Sequence, residues 1–171
     1  MTSTARETEM LQIRATAETD LAAVAEIYWS AWHETHAPFI PAAVAEFRDR
    51  QFFAKRACGF GARLIVADLD GVVMGFTVWD EASLQQLWLR RDARGLGIGD
   101  KLANAAEGQI AAAGTTRAHL TCMAANEPAR RFYERRDWHV VDRFDKPLET
   151  AQGHAAVPCL RMEKELAPAG R

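Results

Sequence analysis

Between residues 63 and 113 the hydrophobic pattern changes period twice, and that change limits the fold more than any other feature. Arg63–Leu69 (RLIVADL) and Val72–Asp80 (VVMGFTVWD) read as two strands around Asp70-Gly71, a dipeptide suited to a tight hairpin. Residues 84–90 (LQQLWLR) predict a further strand. Past a glycine-rich turn at 94–99, Leu102, Ala105, Ala106, Gln109, Ile110 and Ala113 recur on a helical face, and Gly114 suits its C-terminal cap. Strands that feed a helix in this way bury both apolar faces by packing the helix on the sheet, which is an α/β arrangement.

The flanks extend the same logic. Residues 10–14 alternate as a short strand, and Thr16, Glu18 and Asp20 open a helix whose apolar face is Leu21, Val24, Ile27, Tyr28, Ala31 and Trp32. Pro38 and Pro41 end it, and a weaker helical pattern runs from Ala42 to Ala57 through Val44, Phe47 and Phe52. A strand at 117–123 precedes Asn126, which can cap a helix that tolerates Pro128 in its first turn. Two closing strands are expected at 138–144 and 155–163. The order is βααβββαβαββ, read as a single domain over 1–171 with its core at about 10–165.

Composition narrows the function. The chain has 171 residues and is 49% apolar, enough for a real core, and its net charge of −2 excludes a wholly basic nucleic-acid binder. No charge-free run exceeds eleven residues, short of the roughly 18–20 a membrane helix needs. The opening MTSTARETEM has no apolar core and no cleavage-like site, so a signal peptide is not expected. Cys58, Cys122 and Cys159 lack CxxC spacing, which points to reduced thiols in a cytoplasmic protein rather than to disulfides or zinc. The charge is nevertheless divided. Residues 1–50 hold four basic and eight acidic groups, whereas 90–136 hold nine basic and five acidic, which suits a site for an anionic small molecule.

That second stretch contains Arg94-Gly95-Leu96-Gly97-Ile98-Gly99-Asp100-Lys101. Glycines at this spacing let several backbone N–H groups converge, and the helix that follows adds the positive end of its dipole. Together they form a diphosphate cradle with Arg94 at its rim. The spacing is GxGxG rather than the GxGxxG of a Rossmann loop, and no GxxxxGK[ST] occurs. What fits is Arg-x-x-Gly-x-Gly at Arg94, Gly97 and Gly99. About thirty residues on stand Asn126, Ala129 and Tyr133, in an Asn-x-x-Ala-x-x-x-Tyr pattern.

With both motifs at this separation, the chain resembles the GNAT superfamily of GCN5-related N-acetyltransferases. The resemblance implies a mixed central sheet of six to seven strands, about four helices, and fourth and fifth strands splayed at a bulge to admit acetyl-CoA. By the same resemblance the backbone of Trp88 and Leu89 runs beside the pantetheine. N–H groups across Arg94, Gly95, Leu96, Gly97, Ile98 and Gly99 hold the pyrophosphate, and Asn126 binds the pantetheine arm besides capping its helix. Tyr133 protonates the departing thiolate, and the Leu89 N–H receives the developing oxyanion. The reaction implied is direct attack by a primary amine of a small molecule or peptide, with no metal.

Three positions depart from the family pattern. Ser83 stands where many members place a glutamate base, leaving Glu81, Asp80, His119, His33 or a chain of waters as alternatives. Asp137 replaces the usual glycine after the helix, and Asp100 puts an anion beside the phosphate turn, so it must point away or be offset by Lys101. Trp29, His33 and His36 are the expected acceptor contacts, Trp32 reads as core, and the acidic first third suits a cationic acceptor. Family habit and exposed aromatics imply a homodimer; nucleic acid and membrane are not expected partners. A non-catalytic acyl-CoA-binding or sensing module on the same fold is the alternative.

Overall fold

The computed structural model describes residues 10–168. The segment whose composition speaks against a signal peptide therefore lies, but for Met10, outside the described residues. Seven strands form one sheet in the order β1-β2-β3-β4-β5-β7-β6. They are β1 Leu11–Ala15, β2 Leu64–Leu69, β3 Val72–Asp80, β4 Ser83–Leu89, β5 Arg117–Met123, β6 His139–Thr150 and β7 Gly153–Glu165. Five helices cover it: α1 Leu21–Thr35, α2 Ala42–Phe47, α3 Arg50–Gly59, α4 Ile98–Ala112 and α5 Glu127–Glu134. None is long and apolar enough to cross a membrane.

Strand alternation sends side chains to opposite faces, and the two faces carry different helices. Val66, Phe76 and Val78 pack under Val24, Tyr28 and Trp32 of α1 and Phe53 of α3. On the other face Leu120, Leu160 and Met162 meet Ala103, Ala106 and Ile110 of α4 and Tyr133 of α5, with Trp138 buried beside them.

All strand neighbours are antiparallel except β4 and β5, and these touch at one pair, Ser83 with His119. Just beyond that pair β4 carries a bulge. Val78 faces Gln86 and Trp79 faces Leu84, so Gln85 has no opposite number on β3. A bulge bends its strand, and after Gln85 β4 follows β3 away from β5. The expected splay is present.

Two expectations change. The helical stretch expected over 42–57 is two helices, because Arg48 leaves the helical region and the Asp49 carboxylate accepts the Phe52 N–H at 2.8 Å, starting α3 afresh. The closing strands are also longer than 138–144 and 155–163. They form a hairpin of 12 and 13 residues that turns at 150–153 and leaves β6 as an edge. The helix end at Asp137 is as anticipated: it takes φ 64°, a left-handed conformation that Asp tolerates.

Close packing makes the β3–β4 crossing intolerant. A Cβ on Gly75 would sit 2.5 Å from Leu89 Cδ2 and 2.7 Å from the Trp88 carbonyl oxygen, whereas Gly108 in α4 has open space around it. Gly75→Ala is expected to lower unfolding stability by about 1–3 kcal/mol. Gly108→Ala should raise it by about 0.5–1 kcal/mol. Urea unfolding of both variants checks the contrast, and equal effects would contradict this packing.

Candidate active site

The space between the parted strands is a cleft with a cavity volume of about 390 Å³. Its walls come from α1 (Tyr28, Trp32), the α1 C-terminus (His36), the α2–α3 break (Arg48), β4, β5, α5 and the β6–β7 hairpin.

Hydrogen-bond alternation along β4 decides which backbone groups are free. Arg90 N–H donates to the Met74 carbonyl at 2.9 Å, and Trp88 lies opposite Phe76 in the same register. The N–H and C=O groups of Arg90 and Trp88 therefore point toward β3, and those of Leu87 and Leu89 toward the gap. Sequence reasoning put both Trp88 and Leu89 beside a pantetheine. Leu89 turns its N–H and C=O toward the gap, whereas at Trp88 it is the indole that lines the cleft, 5.5 Å from the Tyr28 ring, with Nε1–H donating to Gln86 Oε1 at 2.7 Å.

At the mouth of the gap the glycine turn leads into α4. Gly95 and Gly97 take φ 75° and 77°, and Gly97 is the N-terminal cap of the helix. The first helical hydrogen bond runs from Lys101 N–H to the Gly97 carbonyl, so the N–H groups of Gly95, Leu96, Gly97, Ile98, Gly99 and Asp100 meet no acceptor among the described residues. Six unpaired donors ahead of a helix dipole are a ready anion site. At the rim, Arg94 Nη2 donates to Glu34 Oε2 at 2.7 Å, and Arg91 Nε donates to Glu34 Oε1 at 2.6 Å. These bonds, Arg94's first, hold the Glu34 carboxyl below its ordinary range. Asp100 does not rely on Lys101: Arg136 Nη1 donates to its Oδ1 at 2.8 Å while Nη2 binds Asn104 and Glu107, drawing the carboxylate toward the end of α5.

The α5 wall supplies the second motif. Asn126 caps α5 by accepting the Ala129 N–H at 3.3 Å. Tyr133 is 8% exposed, lines the cleft and packs its ring against Phe132 and Trp138. Its hydroxyl makes no hydrogen bond with a described residue, and burial raises its pKa further above the ordinary phenol value, so it stays protonated. Cys122, across the cleft on β5, is pushed up to about 12, chiefly by burial, which suits a spectator thiol rather than a thiolate nucleophile.

Several expected residues stand elsewhere. Glu81 lies in the β3–β4 turn, outside the cleft lining, where its carbonyl accepts Thr115 Oγ1–H at 2.8 Å. Asp80 is bound to Arg63 and Gln85, and His119 sits at the closed end of the gap opposite Ser83. His33 Nε2–H donates to the Arg48 carbonyl at 2.6 Å, and Trp29 lies under the Arg50 guanidinium, 3.7 Å from its ring centroid, so neither reaches the cleft. Of the three expected acceptor contacts only His36 lines it. Trp32 proves to be both core and wall. The sequence reading missed Arg48, Arg56, Lys146 and Glu149. For Arg48 a signal existed, since Asp49 followed by Arg-Gln-Phe is a helix-start pattern that interrupts the apolar period.

A protein-family model described as the acetyltransferase (GNAT) family matches residues 21–138. No curated protein matches the chain significantly in sequence. Among solved structures, a GCN5-related N-acetyltransferase from Rhodopseudomonas palustris superposes with a TM-score of 0.72 at 22% identity, covering 96% of this chain and 100% of its own. The PaiA N-acetyltransferase from Thermoplasma acidophilum, in complex with coenzyme A, gives 0.69 at 19% identity, covering 91% and 99%. YncA from Salmonella typhimurium, solved with its cofactor acetyl-CoA, gives 0.70 at 19% identity, covering 92% and 94%. At these identities the likeness is one of fold.

His36 carries a pH consequence. Its ring lies between those of Trp32 and Trp88, at 5.7 and 5.2 Å, and burial, with repulsion from Lys146, lowers its pKa to about 4. The unfolded imidazole titrates near 6.5, so between the two values the unfolded chain binds more protons. Stability attributable to His36 is therefore complete above about pH 6.5 and lost as pH falls toward 4, by at most about 1.4 kcal/mol per pH unit. Asp20 and Glu34, whose carboxyls are also held low by arginines, lose stability in acid as well. The readout is thus the difference between wild type and His36→Asn in urea midpoints from pH 7.5 to 4.5. The variant is expected to decline less steeply, and parallel curves would refute the assignment.

Proposed function

The chain belongs to the acetyltransferase (GNAT) family, and on that premise we propose that it moves an acetyl group from acetyl-CoA to the primary amine of a small molecule or peptide. The observation that carries this reading is the succession, along one stretch of chain, of an unpaired β4 edge and a run of unpaired N–H groups at the start of α4, with a protonated phenol on the wall of the cleft that β4 borders. The donor supplies the activated acetyl carbonyl of a thioester; the rest is done by side chains and backbone of this chain.

N–H groups from Gly95 to Asp100, with Arg94 beside them, bind the diphosphate. The Leu87 and Leu89 backbone groups, turned into the gap, pair with the amides of the pantetheine arm as a further strand would, and Asn126 borders the same arm. The Leu89 N–H donates to the oxygen on which negative charge develops as the amine attacks. Tyr133 gives its proton to the departing thiolate; on ordinary pKa values, about 10 against about 8.5, the transfer is mildly uphill and so proceeds in step with C–S cleavage, as negative charge develops on the sulfur.

No carboxylate stands where Ser83 does, and a different device prepares the amine. Arg48, Arg56 and Lys146 all line the cleft, against Glu149 alone. An ammonium among three cations loses its proton more readily than in water, so the acceptor binds as a free amine with the proton released to solvent.

Tyr133→Phe is expected to lower kcat about 10²–10³-fold with little change in KM for acetyl-CoA, because the ring and its packing remain while the proton is gone. Gly97→Ala, which forces a side chain into a left-handed conformation, should instead raise KM for acetyl-CoA several-fold. Release of coenzyme A thiol over a panel of primary amines measures both. Equal kcat for Tyr133→Phe and wild type would remove Tyr133 from the mechanism.

A further inference from the structure

The cleft holds a buried cation to which the acetyl-transfer reading gives only a share in the positive potential. Arg48 is 7% exposed and sits at the break between α2 and α3. Its Nη1 donates to the carbonyls of Val44 (3.2 Å) and Glu149 (2.8 Å). Its guanidinium carbon stands 5.5 Å from the Trp32 ring centroid and 5.0 Å from that of Phe52. From below, His33 Nε2–H donates to the Arg48 carbonyl. Two carbonyls and two aromatic faces thus fix this side chain and an imidazole fixes its backbone, yet none of them neutralises it. A buried guanidinium without an anion is costly, and proteins retain one where a ligand supplies the charge.

The edge left over has a definite shape. With Nη1 occupied, Nε and Nη2 make no hydrogen bond to any described residue, and these two N–H groups form the side-on fork that takes a carboxylate by two parallel bonds. The surroundings share the sign. Arg56, whose Nε donates to the Tyr28 hydroxyl at 3.3 Å, and Lys146 line the same cleft and are in no ion pair among the described residues. Glu149 is the one carboxylate on the lining; its carbonyl oxygen, rather than its carboxylate, binds Arg48. The remaining wall near Arg48 is aromatic: Tyr28, Trp32, Phe52, Phe53 and Trp88.

Resting on the acetyl-transfer reading, we propose that the acceptor is an amine that also carries a carboxylate, bound by the Nε–Nη2 edge of Arg48, with an apolar body against the aromatic wall. This sets aside the cationic acceptor expected from the acidic first third of the sequence. Four of the eight acidic groups there hold other partners: Asp20 binds Arg14, Glu26 binds Arg50, Glu34 binds Arg91 and Arg94, and Asp49 caps α3.

The test compares L-leucine, L-phenylalanine, L-methionine and β-alanine, each with the amine of the same skeleton that lacks the carboxylate, in the thiol-release assay. At least one carboxylated member is expected to be preferred in kcat/KM by about 10–100-fold over its partner. Arg48→Gln should erase that preference through KM, leave KM for acetyl-CoA unchanged, and be partly rescued by Arg48→Lys. Equal or better use of the amines lacking a carboxylate by the wild type would overturn the proposal and needs no variant to fold. An unchanged preference in a folded Arg48→Gln would overturn it too. Tryptophan fluorescence titration with the same pairs separates the two readings. Carboxylate-dependent binding without thiol release retires acetyl transfer and leaves the Arg48 site standing. Thiol release with no carboxylate dependence does the reverse.

Discussion

β4 and β5 run parallel, share a single pair of residues, and then part. Everything that makes this molecule more than a covered sheet follows from that separation. The bulge at Gln85 is the immediate cause, since one residue without a counterpart on β3 turns β4 with the hairpin and away from β5. An unpaired strand edge is ordinarily a hazard that proteins cover or charge. Here the edge lies inside a cleft walled by α1, α5 and the β6–β7 hairpin. The groups of Leu87 and Leu89 can therefore be satisfied by water or by a narrow amide-bearing guest, and not by another sheet.

The second constraint is electrostatic, and it reverses the first impression given by the charge pattern. Asp20, Glu26, Glu34 and Asp49, half of the acidic groups in residues 1–50, serve as struts and a cap. Asp20 and Asp68 clamp Arg14 between β1 and β2, and Glu34 reaches from α1 to Arg91 and Arg94 at the phosphate turn. Asp100 is drawn to Arg136, which turns its carboxylate from the unpaired N–H groups at the start of α4. Once these pairs are formed, the unneutralised charges on the cleft lining are three cations and one anion. The net charge of −2 gives no hint of this, because it counts the struts with the site.

The fold was legible because its signals are local. The Asp70-Gly71 hairpin, the change from β to helical period across 84–113, and the capping Asn126 each specify an element without reference to the rest. The two motifs then specify the residues on which the proposed cofactor half depends, a run of backbone N–H groups at the start of α4 and a phenol seven residues from a helix cap. The acceptor half was not legible. His33 and His36 are three apart on or near one helix, yet a single hydrogen bond to the Arg48 carbonyl takes His33 out of the cleft, while packing between two indoles keeps His36 in it. Lys146 and Glu149 lie on a hairpin whose length exceeded the apolar pattern; both line the cleft with Arg48, and Glu149 meets it across a separation of 101 residues. Glu81 was an attractive base by proximity to Ser83 in sequence. The β3–β4 turn carries it off the cleft lining, and no spacing rule reports on that.

The last two turns of α1 connect the two halves. Trp32, His33 and Glu34 occupy successive directions around the helix, His36 at its C-terminal cap stacks on Trp32, and the four divide three tasks. Trp32 and His36 form cleft wall, His33 fixes the backbone of the α2–α3 break that presents Arg48, and Glu34 grips the arginines at the rim of the glycine turn. Residues this close on a rigid helix cannot move independently, so the position of the rim and the position of the buried guanidinium are set by the same element. Under the proposed transfer, which requires an amine and an acetyl carbonyl to approach within bonding reach, a shared ruler of this kind would set the distance between the two proposed anchors, the glycine turn and Arg48. It also explains why α1 is packed so heavily with aromatic rings. Contacts from Tyr28 to Phe53, Phe76 and Trp88 hold the ruler against the sheet whose splay defines the site.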